Sequence, residues 1–381
     1  MFTAIRRHLT AVLITSILFT MHANSQQPIK NYDAAWKKVT AFTEKELPKS
    51  ALAEVKKISE LAKKEKQEAQ VIKALVAMTQ LQTEIQENND SASIATFEKE
   101  LAGSTGVAAS ILQSQLATMY WSYFQQNRWK FYDRTKTDKF VKTDIATWDA
   151  EDFHKRISTL FLQSVANQQL LVQTRIENFD AIINKGNMRH LRPTLFDLLA
   201  HRALSYFKND ETDIAKPAYA FEINQATAFD PAAAFAKQKF TTRDSLSLKH
   251  KALLLYQQLI ALHLGDAKPD ALLDVDIDRI SFVKEHSTLT NKEELYVAAL
   301  TQLTTRYGNL PAAAQAWYLL AAFHNQQADT YKPFGDSAYR YSRVIAKEIC
   351  ERLLAQKDSS EGKTNAYNLL NSIRSKSFEF T

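Results

Sequence analysis

The chain is 381 residues long, is 24% charged and 45% hydrophobic, and carries a formal net charge of +6. That length holds either two compact domains or one elongated repeat array, and the mild charge, with no basic stripe interleaved with aromatic residues, argues against a nucleic-acid partner. Seven glycines, under a third of ordinary usage, are too few for the turns of an α/β or all-β protein, and one cysteine excludes an intramolecular disulfide or a cysteine-rich metal cluster.

Residues 1–25 read as a secretory signal peptide. Arg6 and Arg7 open it, Leu9 to Met21 is an apolar run too short for a comfortable membrane span, and Ala23-Asn24-Ser25 offers small residues for cleavage before Gln26. Losing the two arginines would lower the formal charge to +4. The expected location is therefore outside the cytoplasm, with the membrane involved only through export.

The mature chain then divides into N-terminal helical hairpins over 26–130, an irregular connection over 131–148, and a continuing array over 149–381 with a long loop at 209–244. Tyr32 to Lys45 spaces Tyr32, Ala35, Trp36, Val39 and Phe42 as a helix does, and Pro48 starts the next one. A third follows from about Gln67 to Glu87. Asn89-Asp90-Ser91 caps a fourth, and Gly103 to Gly106 breaks it before a long run that includes Leu112, Leu116, Tyr120 and Phe124. From Asn127 to Asp149 the periodicity lapses, and Trp129, Phe131 and Trp148 are expected to be pinned onto the helices. Asp149 suits an N-cap for the next helix.

Lys185 to Phe207, KGNMRHLRPTLFDLLAHRALSYF, has the broadest apolar surface. A helix is expected to start near Pro193, with Leu195, Phe196, Leu198, Leu199, Ala203, Leu204, Tyr206 and Phe207 inside and a polar strip of Thr194, Asp197, His201, Ser205 and Lys208. It reads as a central strut. Asn209 to Asp244 lapses again, with Phe221, Phe229, Phe235 and Phe240 dropped along it as packing anchors or, less simply, as ligand contacts. Helices return over Leu246 to Leu264, Ala271 to Leu273, Ile277 to Val283, Lys292 to Tyr307, a stretch opened by Leu310-Pro311, Asp336 to Leu354, and Thr364 to Ile373. Trp317, Tyr318 and Ala321 facing Ala338, Tyr341, Ile345 and Ile349 have the large-small alternation of tetratricopeptide hairpins. The fold class is thus all-α, an array of antiparallel hairpins forming a tetratricopeptide-like (TPR-like) α-solenoid with two long irregular loops.

Chemistry is harder to find. Asp274, Asp276, Asp278 and Glu285 fit positions of a calcium loop, but Arg279 stands where that loop needs glycine, so an acidic helix start is the simpler reading. Asp197 and His201 are an i, i+4 pair with no nucleophile beside them, and Cys350 sits among core residues. Lys185, Arg189, His190 and Arg192 form a basic knot before the strut. It would either receive a carboxylate, phosphate or protein partner, or neutralise acids on neighbouring helices. With no Gly-rich phosphate loop, G-x-S-x-G or H-E-x-x-H, the reading is no enzyme, no metal and no cofactor.

Several stretches together resemble the N-terminal helical region of bacterial alpha-2-macroglobulin family proteins of Bacteroidetes type. They are LPKSALAEVKKISELAKKEKQEAQVIKAL from Leu47 to Leu75, MYWSYFQQNRWKFYDRT from Met119 to Thr135, IATWD ending at Asp149, Lys185 to Phe207, and LLLYQQLIALH ending at His263. The resemblance implies an exported helical module preceding macroglobulin-type β-sandwich domains, which would start where this chain stops at Thr381. The family's Cys-x-Glu-Gln thioester is missing, since Cys350 is followed by Glu351 and Arg352. The expectation is a non-enzymatic scaffold or interaction module, proteinase-inhibitor-like, for those β-sandwich domains or a protein partner. The alternative is a helical glycan- or peptide-binding module of the cell envelope, with an aromatic cleft between the 127–148 and 209–244 stretches.

Overall fold

The computed structural model describes residues 32–86, 90–132, 144–186, 188–215, 217–335 and 337–376. The expected signal peptide and cleavage site, Asp336 and most of the expected 131–148 connection lie outside them. The described residues are all-α, with fifteen α-helices and no strand. A single parallel bridge joins Ile223 to Ser287.

The first helices are α1 (Tyr32–Thr43), α2 (Pro48–Lys64) and α3 (Glu68–Ile85). Pro48 stands in the first turn of α2, where its missing N–H has no helical partner to lose. The two links close alike. Glu46 and Lys66 take positive φ, and the next N–H reaches back to the carbonyl five residues earlier, Leu47 to Phe42 at 3.0 Å and Gln67 to Ala62 at 2.9 Å. This is the Schellman closure, which turns the chain sharply and makes neighbouring helices antiparallel.

Next come α4 (Asp90–Ala102), α5 (Gly106–Tyr132), α6 (Ala150–Ser164) and the short α7 (Gln168–Gln173). The apolar stripe of α5 runs on through Phe124 to Phe131, so the helix covers Asn127 to Tyr132, where the sequence reading placed the start of the irregular connection. Phe131 is buried, but Trp129 is 73% exposed and is not pinned to anything apolar. Asp149 caps α6 with a full capping box, its side chain accepting from Asp152 N–H while Asp152 accepts from Asp149 N–H.

The expected strut is α8 (Leu195–Phe207). Pro193 lies before the helix instead of in its first turn, because Thr194 is the N-cap. Leu195, Phe196, Leu199, Ala200, Ala203, Leu204, Tyr206 and Phe207 are buried, whereas Leu198 is half-buried. Asp197, assigned to the polar strip, is buried too. The helix packs against α5, α6, α7 and α10 (Leu248–His263).

Between α8 and α10 the chain is irregular but anchored, with a one-turn α9 (Ala232–Phe235). Phe229, Phe235 and Phe240 are buried in the core, as expected of packing anchors, and Phe221 packs against it. The remaining helices are α11 (Asp270–His286), α12 (Lys292–Tyr307), α13 (Ala314–Ala328), α14 (Ser342–Leu354) and α15 (Glu361–Lys376). Helix α11 is continuous where the sequence suggested two pieces. Its Asp274, Asp276 and Asp278 lie inside the helix, not at an acidic start. In α14 the buried face is Ala346, Cys350 and Leu353, with Ile349 packed beside it against the cores that include α13, as expected; Tyr341 and Ile345 are exposed, and Ala338 precedes the helix, so the rest of the expected face is not the one used.

Among the described residues the packing forms three apolar cores. One lies within α1–α3, a large one runs from α3 to α13, and a third joins α13, α14 and α15. Two helices are shared between cores and buried on two sides. Ile72 and Leu75 of α3 enter the large core while Ala74 and Leu81 enter the first, and Ala316 and Leu320 of α13 enter the large core while Ala314 and Ala321 enter the third.

Candidate functional site

The basic knot comes together in space but its charges are largely matched. Lys185 and Arg189 reach Asp180 at 2.6 and 2.8 Å, and Arg192 Nε donates to Asp274 Oδ2 at 2.9 Å. Burial pulls the Asp180 carboxyl up, but hydrogen bonds from Lys185 and Arg189 outweigh it and hold the group below the usual carboxylate range. His190 is exposed and lines a hollow of about 120 Å³ with Met188, Asp274 and Glu361.

The acids of the calcium-like pattern are likewise taken by protein partners. Asp278 accepts from Lys208 at 2.9 Å and from Tyr256 Oη at 2.7 Å. Asp276 pairs at 2.5 Å with Arg279, a fully buried cation whose guanidinium also donates to the Ala228 carbonyl and lies over the Phe235 ring. Arg279 thereby ties the irregular stretch to α11.

Asp197 does not orient His201. Its carboxylate accepts from Thr194 at the start of α8 and meets His263 Nε2 at 2.7 Å, while the other nitrogen of His263 lies 2.7 Å from Asp266. Burial works against charge on both partners. For Asp197 the hydrogen bond from His263 wins and lowers its pKa; for His263 the bonds to Asp197 and Asp266 win and raise it. His201 sits 3.9 Å from Asp274, and burial, aided by Arg192, pushes its pKa down to about 4.

A cavity of about 410 Å³ opens beside the first turns of α6; of the described residues in the 127–148 stretch, expected to form one side of an aromatic cleft, Tyr132 alone lines it. Tyr132 from the end of α5 forms one wall with Ala150, Glu151 and His154 from the first turns of α6. The facing wall is Glu211, Thr212, Pro217 and Tyr219 to Phe221 together with Arg243 to Lys249, which leads into α10. Asp244 holds that wall together by accepting the N–H groups of Phe221 and Leu246, both at 3.2 Å. Lys251 donates to the Ser245 carbonyl, and Ser247 caps α10 through His250 N–H. Across the cleft, Tyr132 Oη donates to Glu211, which also pairs with Arg128 at 2.8 Å. Tyr219, 62% exposed, stands at the rim.

His154 is the residue here that the sequence did not single out. It is 4% exposed, its Nδ1 lies 2.7 Å from Tyr206 Oη, and its Nε2 is buried with no hydrogen-bond partner. Burial pushes its pKa down to about 4, so the ring is neutral near neutral pH. Its spacing from Tyr206, 52 positions on, left no local signal.

Among the described residues no cluster of His, Cys, Asp and Glu could hold a metal ion, and no helix is long and apolar enough to cross a membrane. No family model matches the chain, and neither does any curated protein or solved structure.

Proposed function

We propose that the chain is a non-enzymatic, exported helical scaffold or interaction module, built as a TPR-like solenoid and resembling the N-terminal part of an alpha-2-macroglobulin-like envelope protein. Its partner is a macroglobulin-type β-sandwich portion or another protein of the periplasm or cell envelope. The observation that carries this reading is where the polar side chains are spent. Asp197–His263 joins α8 to α10, Lys208–Asp278 joins α8 to α11, and Arg202 of α8 donates to Ser114, Gln115 and Thr118 of α5. These groups fix one helix against the next, as a rigid docking surface requires, and leave no activated nucleophile beside them. Expression of the full chain with an affinity tag at its C-terminal end tests it. The protein should be released by osmotic shock beginning at Gln26 and should retain a β-sandwich protein that free, untagged chain displaces. Retention in the cytoplasm, or recovery of nothing, would count against it.

A second reading, a module that binds a small glycan or peptide group, is favoured by one observation. The cavity of about 410 Å³ between α6 and the 211–249 stretch has the size of a ligand site and three aromatic residues, Tyr132, Tyr219 and Phe221, on its walls.

A further inference from the structure

A different cavity, of about 560 Å³, opens where the last turns of α12 and α14 meet the start of α13. Arg306, Tyr307, Trp317 and Arg352 line it, with Thr305 and Asn309 between them, and among the described residues no aspartate or glutamate does. Most arginines of the described chain are spent on partners within the protein, as Arg156 is on Glu98 and Arg202 on Ser114. Arg306 and Arg352 are not. Both are exposed and make no hydrogen bond or ion pair among the described residues; each guanidinium instead lies over an aromatic ring, Arg306 at 5.0 Å from the centre of Tyr307 and Arg352 at 4.0 Å from that of Trp317. A guanidinium stacked this way has one flat face covered and keeps its N–H donors, which lie in its plane, for an acceptor at its edge.

We infer that this cavity binds a tetrahedral oxyanion, a phosphate or sulfate group, held by Arg306 and Arg352. The inference is independent of both readings above. An arginine in the last turn of a helix ordinarily offsets the exposed carbonyls there, but other donors already meet those carbonyls. Gly308 O accepts from Trp317 Nε1 at 3.2 Å and from Gln356 Nε2 at 3.3 Å, Tyr307 O from Leu310 N–H at 2.9 Å and Leu353 O from Gln356 N–H at 3.3 Å, while Lys363 Nζ donates to the Gln356 and Asp358 carbonyls. The neighbouring acids do not neutralise the two cations either. Glu351 pairs with Arg374 at 3.1 Å, and Asp266, in an adjoining cavity that Arg306 also lines, is held by His263 at 2.7 Å. Glu348, one turn before Arg352 on α14, lies outside the lining and pairs with neither arginine. Two unmatched cations on one cavity favour a group with two negative charges over a single carboxylate, and the forked donors of arginine match the oxygens of phosphate and sulfate.

The free anion and a small phosphate ester share this chemistry, and calorimetry on the whole chain at low salt separates them, with inorganic phosphate, inorganic sulfate, phenyl phosphate and acetate as probes. Phosphate or sulfate is expected to bind saturably and about tenfold or more tighter than acetate. Phenyl phosphate binding tighter than inorganic phosphate would assign the site to an ester, and equal or weaker binding to the free anion. Arg306→Gln and Arg352→Gln should each weaken the preferred anion about tenfold with an unchanged circular dichroism spectrum, since both side chains are exposed. Lys49→Gln, which removes the same charge from the surface of α2, should leave the affinity as it was. If Arg352→Gln disturbs the packing of Trp317, Arg306→Gln decides alone, and Arg306→Lys, which keeps the charge but loses the fork, should recover part of its loss. Equal weakening by Lys49→Gln and the arginine variants would overturn the site in favour of diffuse charge attraction, and no weakening by either arginine variant would place the anion elsewhere. Acetate binding as tightly as phosphate and sulfate, or no saturable binding of any probe up to about 10 mM, would overturn it as well.

Discussion

Asp197 is buried, and its charge is met by hydrogen bonds from Thr194 at the start of α8 and by one histidine, His263. The pair with His263 is buried on both sides, and removing one partner of such a pair typically costs about 3–5 kcal/mol because the other charge stays unpaired. His263→Ala should therefore lower the unfolding free energy in urea by roughly that amount near pH 7. The raised pKa of His263 gives its contribution a sign. It is fully present below the unfolded imidazole value of 6.5 and fades as pH rises through the folded value, so the gap between wild type and variant should narrow on the alkaline side. His154 and His201 act in the opposite sense. With folded values of about 4 against 6.5 unfolded, they favour the native state above pH 6.5, and each loses on the order of 3 kcal/mol of that support as pH falls to about 4. Urea titrations across this range should show wild-type stability falling in acid. A flat acid limb would contradict neutral, buried histidines at these positions.

Local rules act most visibly in the helix links. Lys66 closes α2 with φ of 54°, a left-handed conformation that costs a side-chain-bearing residue roughly 1–2 kcal/mol relative to glycine. Lys66→Gly should raise the melting temperature by a few degrees, on the order of 1 kcal/mol, despite removing a charge. The reverse holds at Gly362 in the first turn of α15, where a Cβ would stand 2.3 Å from both the Ala314 carbonyl carbon and the Gln315 nitrogen. Gly362→Ala should separate α15 from α13, cost about 1–3 kcal/mol or more, and raise amide exchange within 361–376 ahead of the rest. The helix starts were legible because they rest on local chemistry: Pro48 in a first turn and Asp149 as an N-cap each act within four residues. Phase was lost where no local mark existed. Tyr341 and Ile345 stand at helical spacing on one stripe and Ala346, Cys350 and Leu353 on the next, and packing, not local sequence, buries the second. Asp197 misled for a related reason. The i, i+4 rule points to His201, but the capping box turns the carboxylate back toward Thr194, away from the following turn, and His263 then approaches from another helix 66 positions on. Of the cavity walls, Tyr219 to Phe221 with Arg243 and Asp244 fall in a lapse of periodicity that the sequence marked; the α6 wall with His154 carried no such mark, and the partner of His154, Tyr206, lies on a different helix.

Across the whole molecule, α3 and α13 are each shared by two apolar cores, and α8 lies at the middle of the largest. Apolar breadth alone identified α8 as a strut, since a helix hydrophobic over more than half its circumference must be covered on several sides. What breadth could not supply was the list of neighbours, which depends on contacts 40 to 90 positions apart, such as Arg202 with Ser114 and His154 with Tyr206. The scaffold reading requires that this helix hold the N-terminal pairs and the later ones as one body. Far-ultraviolet circular dichroism and thermal melting of Leu199→Asp test that requirement directly, because Leu199 is 2% exposed and a buried, unpaired carboxylate costs several kcal/mol against a typical total of about 5–15. The account predicts that this variant loses most of its helical signal and its cooperative melt, while His201→Ala keeps both. A Leu199→Asp protein with wild-type ellipticity and an unchanged transition would contradict it.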